Sequence, residues 1–301
     1  MEEQLIKLLV EKGPLAGVEI LNEVGHDPLL LWRACRLSKN LAIRTVGRRY
    51  LRLDSEVDGF ARLSPSILRE FLTYSVIGIT EDRNSMDRKA LEIASHIREV
   101  SEAKFKLAGN IFQSVLSRLE NEALIQEQVC VFIAGDIVYG MAHDVPRPER
   151  STGKLVKGSD MDLIVVVNDG FPGALMERMD EAIYLEKQKV LMAPHLREEI
   201  DYVVKNLTRV REQTAFDGFK HMVACKILQE GKFLYGSEGL FRGIKAMLQE
   251  KGVTEKLAAM EGRAAKLRMD GEAYLLSEDP GKIKDEGLSL FYPTEESEEF
   301  E

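Results

Sequence analysis

Apolar residues near the start of the chain recur at the spacing of amphipathic helices. Leu5, Leu8 and Leu9 lie on one face of the first predicted helix, which ends at Gly13-Pro14. Asp27 can cap the third helix, because aspartate accepts hydrogen bonds from the free N–H groups of a first helical turn. The pattern predicts helices over residues 1–11, 16–24 and 28–39.

An alternating segment follows the third helix. Residues 43–53 predict a β-hairpin that turns at Gly47-Arg48. The stretch from Pro28 to Leu53 contains no acidic residue. Its basic residues are Arg33, Arg36, Lys39, Arg44, Arg48, Arg49 and Arg52. A surface of one charge sign can neutralise nucleic-acid phosphates.

The rest of the chain alternates between helical patterns and short apolar runs. Residues 86–128 predict a long helical connector, which could pack on the neighbouring domain or pair with its copy in a homodimer. Apolar runs predict strands over 131–134, 164–167 and 199–204, and two long amphipathic helices over 209–229 and 238–269. The order of these elements predicts an α+β, multi-domain protein.

Composition narrows the class of protein. The net charge of the 301 residues is -9, but eleven acids and two bases lie from Asp270 to Glu301, so the rest of the chain is neutral. We expect an acidic C-terminal tail there. The three cysteines are widely spaced, which predicts buried thiols and a cytoplasmic protein rather than a disulfide framework. No apolar run has the length of a membrane span, so no membrane contact is expected.

Candidate chemistry lies where the second apolar run begins. Asp160 and Asp162 are one residue apart at the mouth of this strand, so their side chains project to the same face. Paired carboxylates repel each other unless a cation neutralises them. The spacing therefore predicts Mg²⁺, or two such ions, held by carboxylates and substrate phosphates.

The middle third of the chain resembles the nucleotidyltransferase superfamily, the polymerase-beta-like fold. That family has a strand ending in a glycine turn, a short helix, an Asp-x-Asp pair that opens the next strand, and a third carboxylate on a later strand. Gly135 matches the glycine, and Asp160 and Asp162 match the pair. Asp201 fits the third acid, with Glu199 as its alternative. The resemblance implies that Asp160, Asp162 and Asp201 are catalytic metal ligands in a mixed-sheet core.

The resemblance also implies a nucleoside triphosphate as substrate. Its nucleotide-binding candidates are Gly135, Asp136, Lys154, Lys157, Gly158 and Ser159. Asp136 departs from the family, which has a small residue there, and its charge would repel phosphates. The basic loop with Arg147, Arg150, Lys154 and Lys157 could wrap a triphosphate or simply be solvated.

The N-terminal pattern of three helices and a hairpin resembles a winged helix-turn-helix domain. Residues 28–39 would be its recognition helix and Arg48-Arg49 its wing. The resemblance implies contact with DNA or RNA through Arg33, Arg36, Lys39, Arg44, Arg48 and Arg49. Docking to a protein is the alternative. Trp32 is expected in the core.

These observations lead to two hypotheses of function. The first is an enzyme that transfers a nucleoside monophosphate to a hydroxyl of RNA, protein or a small molecule. The second is a DNA-binding transcriptional regulator whose transferase-like domain only senses a nucleotide. The predicted segments are a winged helix over 1–80, a connector over 81–128, a nucleotidyltransferase core over 129–206, a substrate-side helical region over 207–269 and the acidic tail over 270–301.

Overall fold

A computed structural model describes residues 1–149 and 152–293 of the chain. The chain forms two compact units, each with most of its residue contacts inside itself. The first unit is discontinuous in sequence. Unit 1 consists of residues 1–97 and 260–301, and unit 2 of residues 98–259. The protein is therefore α+β, with helices and several small sheets.

Unit 1 opens with the predicted helices. Its elements up to the long helix α5 are α1 (Glu2–Lys12), β1 (Leu15–Ala16), α2 (Gly17–Val24), α3 (Pro28–Leu37), β2 (Leu41–Thr45), β3 (Tyr50–Leu53), β4 (Ala61–Ser64), α4 (Ile67–Thr73) and β5 (Ser75–Ile79). Asp27 caps α3 as predicted, since its carboxylate accepts from the N–H groups of Leu29 and Leu30. The helix ends at Leu37, two residues earlier than expected.

The predicted hairpin over 43–53 is wrong in its pairing. The two strands exist, but β2 pairs with β5, and β3 pairs with β4. The three-stranded antiparallel sheet has the order β1-β5-β2. Val76 and Ile77 of β5 are fully buried, and a central position in this sheet provides that burial. A local hairpin would have left the apolar strand β5 without its partner β2.

The core of unit 1 includes residues from the C-terminal part of the chain. Elements there are α12 (Val253–Ser277), which begins in unit 2, α13 (Pro280–Lys282), a π-helical turn over 283–287 and α14 (Leu288–Phe291). Leu275, Ile283 and Phe291 are fully buried in the same cluster as Trp32. The ring centroids of Trp32 and Phe291 are 5.6 Å apart. Trp32 is a core residue, as predicted.

The expectation of an acidic tail from Asp270 is therefore wrong for residues 270–293. This segment is helical through most of its length, and its apolar residues complete the core of unit 1. The acids within residues 270–293 are exposed or half-buried, and some form ion pairs, for example Glu278 with Lys282. The final acidic residues, from Thr294 onward, lie outside the described residues.

Unit 2 is built around a mixed β-sheet. The helix α5 (Arg83–Leu116) begins in unit 1 and ends in unit 2. The other elements are α6 (Glu122–Gln128), β6 (Val129–Ala134), α7 (Asp136–Tyr139), β7 (Pro146–Pro148), β8 (Leu155–Lys157), β9 (Met161–Val167), α8 (Gly173–Met192), β10 (Ile200–Asn206), α9 (Leu207–Gln213), α10 (Phe219–Glu230), β11 (Lys232–Gly236) and α11 (Glu238–Glu250).

The four-stranded sheet has the order β10-β9-β6-β11. β10 runs parallel to β9, whereas β6 is antiparallel to both of its neighbours. The sequence analysis did not predict β11, which lies between the two long helices predicted over 209–229 and 238–269. Each of those helices is also broken, because Phe216 has a positive φ of 56° and Gly252 one of 66°.

Apolar side chains cover one face of this sheet. Val131, Val165 and Val167 pack with α8 residues such as Met179 and Ile183. The second half of α5 joins them through residues that include Ala108, Ile111, Phe112 and Val115. The connector therefore packs on the sheet, which was the first of its two predicted roles.

The cysteines and the helices of the described residues bear on the class of protein that the composition predicted. Cys35, Cys130 and Cys225 are free and buried, as the sequence predicted. Burial raises the pKa of Cys35 and of Cys130 to about 12. Among the described helices, none is long and apolar enough to cross a lipid bilayer.

Candidate metal centre

The three aspartates converge at one end of the sheet in unit 2. Asp162 is the second residue of β9, and it lies opposite Asp201 on β10 and opposite Ala134 on β6. Asp160 immediately precedes β9. One carboxylate oxygen from each of Asp160, Asp162 and Asp201 lies within 4.8 Å of the other two. The alternation of β-strand side chains and the parallel register together produce this convergence.

Exposure differs among the members of this cluster, which we call the acid triad. Asp160 and Asp162 are half-buried, and Asp201 is exposed. The Nζ atom of Lys187 on α8 donates to Oδ1 of Asp201 at 3.1 Å. The triad therefore combines three like charges with a lysine ammonium at its exposed corner.

Glu199, the alternative third acid, has a different environment. It is buried and forms an ion pair with Arg147, whose Nη2 lies 2.8 Å from Oε2 of Glu199. The pKa of Glu199 lies above its usual value, chiefly because the carboxyl is buried. The charge of Arg147 acts to lower this pKa, and the charges of Asp160 and Asp201 act to raise it. Asp201 therefore completes the triad, and Glu199 is the partner of Arg147 beside it.

Gly135 shapes the space next to Asp162. It adopts a positive φ of 72°, and a Cβ atom there would lie 2.2 Å from Oδ2 of Asp162. No side chain fits such a gap, so glycine is required for the carboxylate to keep its position. The glycine turn predicted from the sequence thus contacts the acid pair directly.

Three donors beside Gly135 converge on Glu230, the last residue of α10. The Gly135 N–H donates to Oε1 at 3.3 Å, and the Tyr139 hydroxyl donates to Oε2 at 2.6 Å. Lys226 forms an ion pair with the same Oε2 at 2.5 Å. Sequence reasoning missed this group, although Lys226 and Glu230 have the i,i+4 spacing of an ion pair on one helix face.

Asp136, the departure from the family pattern, is bound by Ser159. The Ser159 hydroxyl donates to Oδ2 of Asp136 at 2.7 Å and accepts from the His143 N–H at 3.2 Å. Gly158 has a positive φ of 61°, and a Cβ atom there would lie 1.9 Å from the His143 carbonyl oxygen. The Ser159 hydroxyl therefore links the Gly158-Ser159 turn to α7 next to the triad. One carboxylate oxygen of Asp136 is its hydrogen-bond acceptor.

The two predicted phosphate-binding lysines contact the C-terminal end of α8 and the segment after it. The Lys157 ammonium donates to the His195 carbonyl at 2.9 Å. The Lys154 ammonium lies 2.7 Å from Sδ of Met192. Arg150, from the same predicted basic loop, lies outside the described residues. Whether this loop wraps a triphosphate stays a prediction.

The predicted nucleic-acid residues lie in unit 1, and most of them bind groups of the same unit. Arg33 donates to the Leu275 carbonyl, and Arg36 lies 3.6 Å from a carboxylate oxygen of Glu272. Arg44 pairs with Asp87 at 2.5 Å. Arg49 pairs with Glu70 at 2.6 Å and with Glu272 at 2.8 Å. The side chains of Lys39 and Arg48 are exposed.

Residues of the C-terminal segment therefore cover much of α3, the predicted recognition helix. Trp32, Arg33 and Arg36 on α3 contact Phe291, Leu275 and Glu272, in that order. At the start of the helix, Lys284 pairs with the cap Asp27 at 2.6 Å. Contact of this face with a nucleic acid would require the covering segment to move.

Comparison of the chain with protein-family models, with curated proteins and with solved structures found no match.

Proposed function

We propose that this protein is a nucleotidyltransferase that moves a nucleoside monophosphate from a nucleoside triphosphate to a hydroxyl acceptor. The observation that carries the proposal is the convergence of Asp160, Asp162 and Asp201 within 4.8 Å beside the glycine turn at Gly135. This combination of strand, glycine turn and paired acids is the one on which the resemblance rests.

The triad fits a divalent cation such as Mg²⁺. Its donors are hard carboxylate oxygens, which Mg²⁺ prefers, and three like charges at this separation gain from a cation between them. Asp160, Asp162 and Asp201 would hold it. A bound ion would supply charge stabilisation for the phosphate oxygens and for the attacking and departing oxygens.

The chain's own residues would orient the reactants. In the transfer, the acceptor oxygen bonds to the α-phosphorus, the bond from that phosphorus to pyrophosphate breaks, and the hydroxyl proton goes to a base. Asp201 is the most exposed of the triad and lies on the edge strand β10, so it is suited to meet an acceptor and receive its proton. Gly135 has no Cβ atom that would displace the carboxylate of Asp162.

A second candidate is a regulator that binds a nucleotide without turnover. Asp136 favours it, because its carboxylate stands at the position from which the family contacts phosphates. For both candidate functions, the identity of the acceptor or of the DNA partner is a separate proposal. Contact with a nucleic acid through unit 1 is supported by the exposed cation Lys39, and the intramolecular pairs of Arg36 and Arg49 oppose it.

Incubation with each labelled nucleoside triphosphate, Mg²⁺ and total cellular RNA or protein tests the enzyme directly. We expect label to be incorporated by the wild-type protein and incorporation to be lost in Asp162→Asn, because this change removes the central negative charge of the triad. Asp180→Asn, which alters an exposed aspartate on α8, is the matched control and should retain incorporation.

Two other outcomes would count against this proposal. Binding of a nucleotide without transfer to any acceptor supports the sensor instead. Equal incorporation by wild type and Asp162→Asn would show that the triad is not the site of the chemistry.

A further inference from the structure

Lys187 reaches the acid triad from the opposite face of the sheet. Its helix, α8, packs on the face that carries Val165 and Val167. Side chains alternate along a strand, so Asp162 and its partner Asp201 project to the other face. β10 is an edge strand of this sheet, and Lys187 makes its contact with Asp201 past that edge.

The contact is a single ion pair at the rim of the triad. Nζ of Lys187 is 3.1 Å from Oδ1 of Asp201, and the two side chains are 24% and 55% exposed. An ammonium on a flexible four-carbon stem is a compact charge that can leave one partner for another. A half-exposed pair of this kind is weak, because water screens both charges.

The same carboxylate is one of the three that would hold a metal ion. A lysine ammonium and a divalent cation compete for the carboxylate of Asp201, because two positive charges a few ångströms apart repel each other. Lys187 therefore acts against metal binding and at the same time relieves the mutual repulsion of the triad when no ion is bound.

We propose that Lys187 is a tethered counter-ion of the acid triad, which the metal displaces from Asp201 on binding. This inference rests on the proposed function, since it requires that the triad bind a divalent cation. It assigns Lys187 as a positioning residue that tunes metal affinity, and it leaves the ammonium free beside Asp201 once the metal is bound.

The test is the affinity of the full chain for Mn²⁺, measured from the electron paramagnetic resonance signal of the free ion. Lys187→Met should bind Mn²⁺ about three- to tenfold more tightly than the wild type, because the competing charge is gone. Lys187→Arg keeps the charge and should stay close to wild type. A merely structural lysine would give the opposite sign, since its loss would disorder Asp201 and weaken binding.

Lys189→Met is the matched control on the same helix. Lys189 pairs with Glu186 rather than with the triad, so its replacement should leave the Mn²⁺ affinity unchanged. Thermal unfolding gives a second readout. Without metal, Lys187→Met should unfold at a lower temperature than the wild type, and saturating Mn²⁺ should raise its unfolding temperature by more than it raises that of the wild type.

The outcomes separate the two proposals. If the wild type binds Mn²⁺ but Lys187→Met binds it equally or more weakly, the counter-ion role is overturned and the metal centre remains. If the wild type binds no Mn²⁺ at the triad, the metal centre and the role of Lys187 both fail. Should Lys187→Met fail to fold, Lys187→Gln gives the same comparison with a polar side chain.

Discussion

Replacement of Phe291 by alanine is expected to lower the free energy of unfolding of unit 1 by about 3–5 kcal/mol, the range for truncation of a buried phenylalanine. Phe291 is fully buried, and its ring packs 5.6 Å from that of Trp32 in the same core cluster. Truncation would leave a cavity against helix α3, where the C-terminal segment completes the core.

Trp32 is the natural probe for this experiment. It is the only tryptophan of the chain and lies next to Phe291, so its fluorescence during a urea titration reports the unfolding of unit 1. Leu290→Ala is the matched control, since Leu290 is the neighbouring residue on α14 and is 46% exposed. Equal transition midpoints for Phe291→Ala and the wild type would contradict the assignment of α14 to the core.

Replacement of Gly135 by alanine is expected to weaken metal binding at the acid triad while the protein remains folded. The new Cβ atom would lie 2.2 Å from Oδ2 of Asp162, so the carboxylate would have to leave its position between Asp160 and Asp201. Gly135 combines a φ of 72° with a ψ of -154°, a region almost confined to glycine, so alanine there adds about 1–3 kcal/mol of backbone strain. We expect Mn²⁺ affinity to fall at least about tenfold, because the central ligand is displaced.

Gly140→Ala is the control for a disturbance of α7 that does not displace the carboxylate. Gly140 ends the short helix α7 that Gly135 precedes, and its φ of 67° and ψ of 35° are left-handed helical, a region that alanine adopts at a lower cost than that of Gly135. A Cβ atom at Gly140 would meet nothing within 4 Å. Gly140→Ala should therefore cost less stability than Gly135→Ala, and only Gly135→Ala should lose Mn²⁺ affinity. Loss of affinity in both would point to strain in α7 instead.

The sequence was most informative where local rules decide the geometry. A period of two along β9 places Asp160 and Asp162 on one face, and a glycine before α7 allows the turn beside them. Asp201 came from the resemblance, and the parallel register of β10 with β9 places it opposite Asp162. Lys187 and Glu230 could not be found in this way, because their contacts depend on how α8 and α10 pack on the sheet.

Pairing between distant strands was the main source of error. The segment 43–53 has the alternation of a hairpin, yet β2 finds its partner more than thirty positions further along, in β5. Local pattern reports that a strand exists and says little about its neighbour. β11 was missed because a five-residue apolar run between two helical patterns carries too little periodicity to be distinguished.

The C-terminal segment shows how net charge can mislead. Eleven acids from Asp270 onward indicated a solvated extension. The buried residues Leu275, Ile283 and Phe291 are eight positions apart, and this wide spacing gives little amphipathic signal within any one helix. These three residues, with the partly buried Tyr274, Leu276, Leu288 and Tyr292, pack the segment on the core.

The discontinuity of unit 1 in sequence has a consequence for the newborn chain. Residues 1–97 are synthesised before residues 260–293, so their core lacks Leu275, Ile283 and Phe291 until translation reaches those positions. At ordinary translation rates this delay lasts about 10–40 s. During that time apolar groups such as Trp32 lack the side chains that they pack against in the folded unit. Unit 2 is contiguous in sequence and is complete before the last segment of unit 1, so it can fold in that interval, before the core of unit 1 is complete.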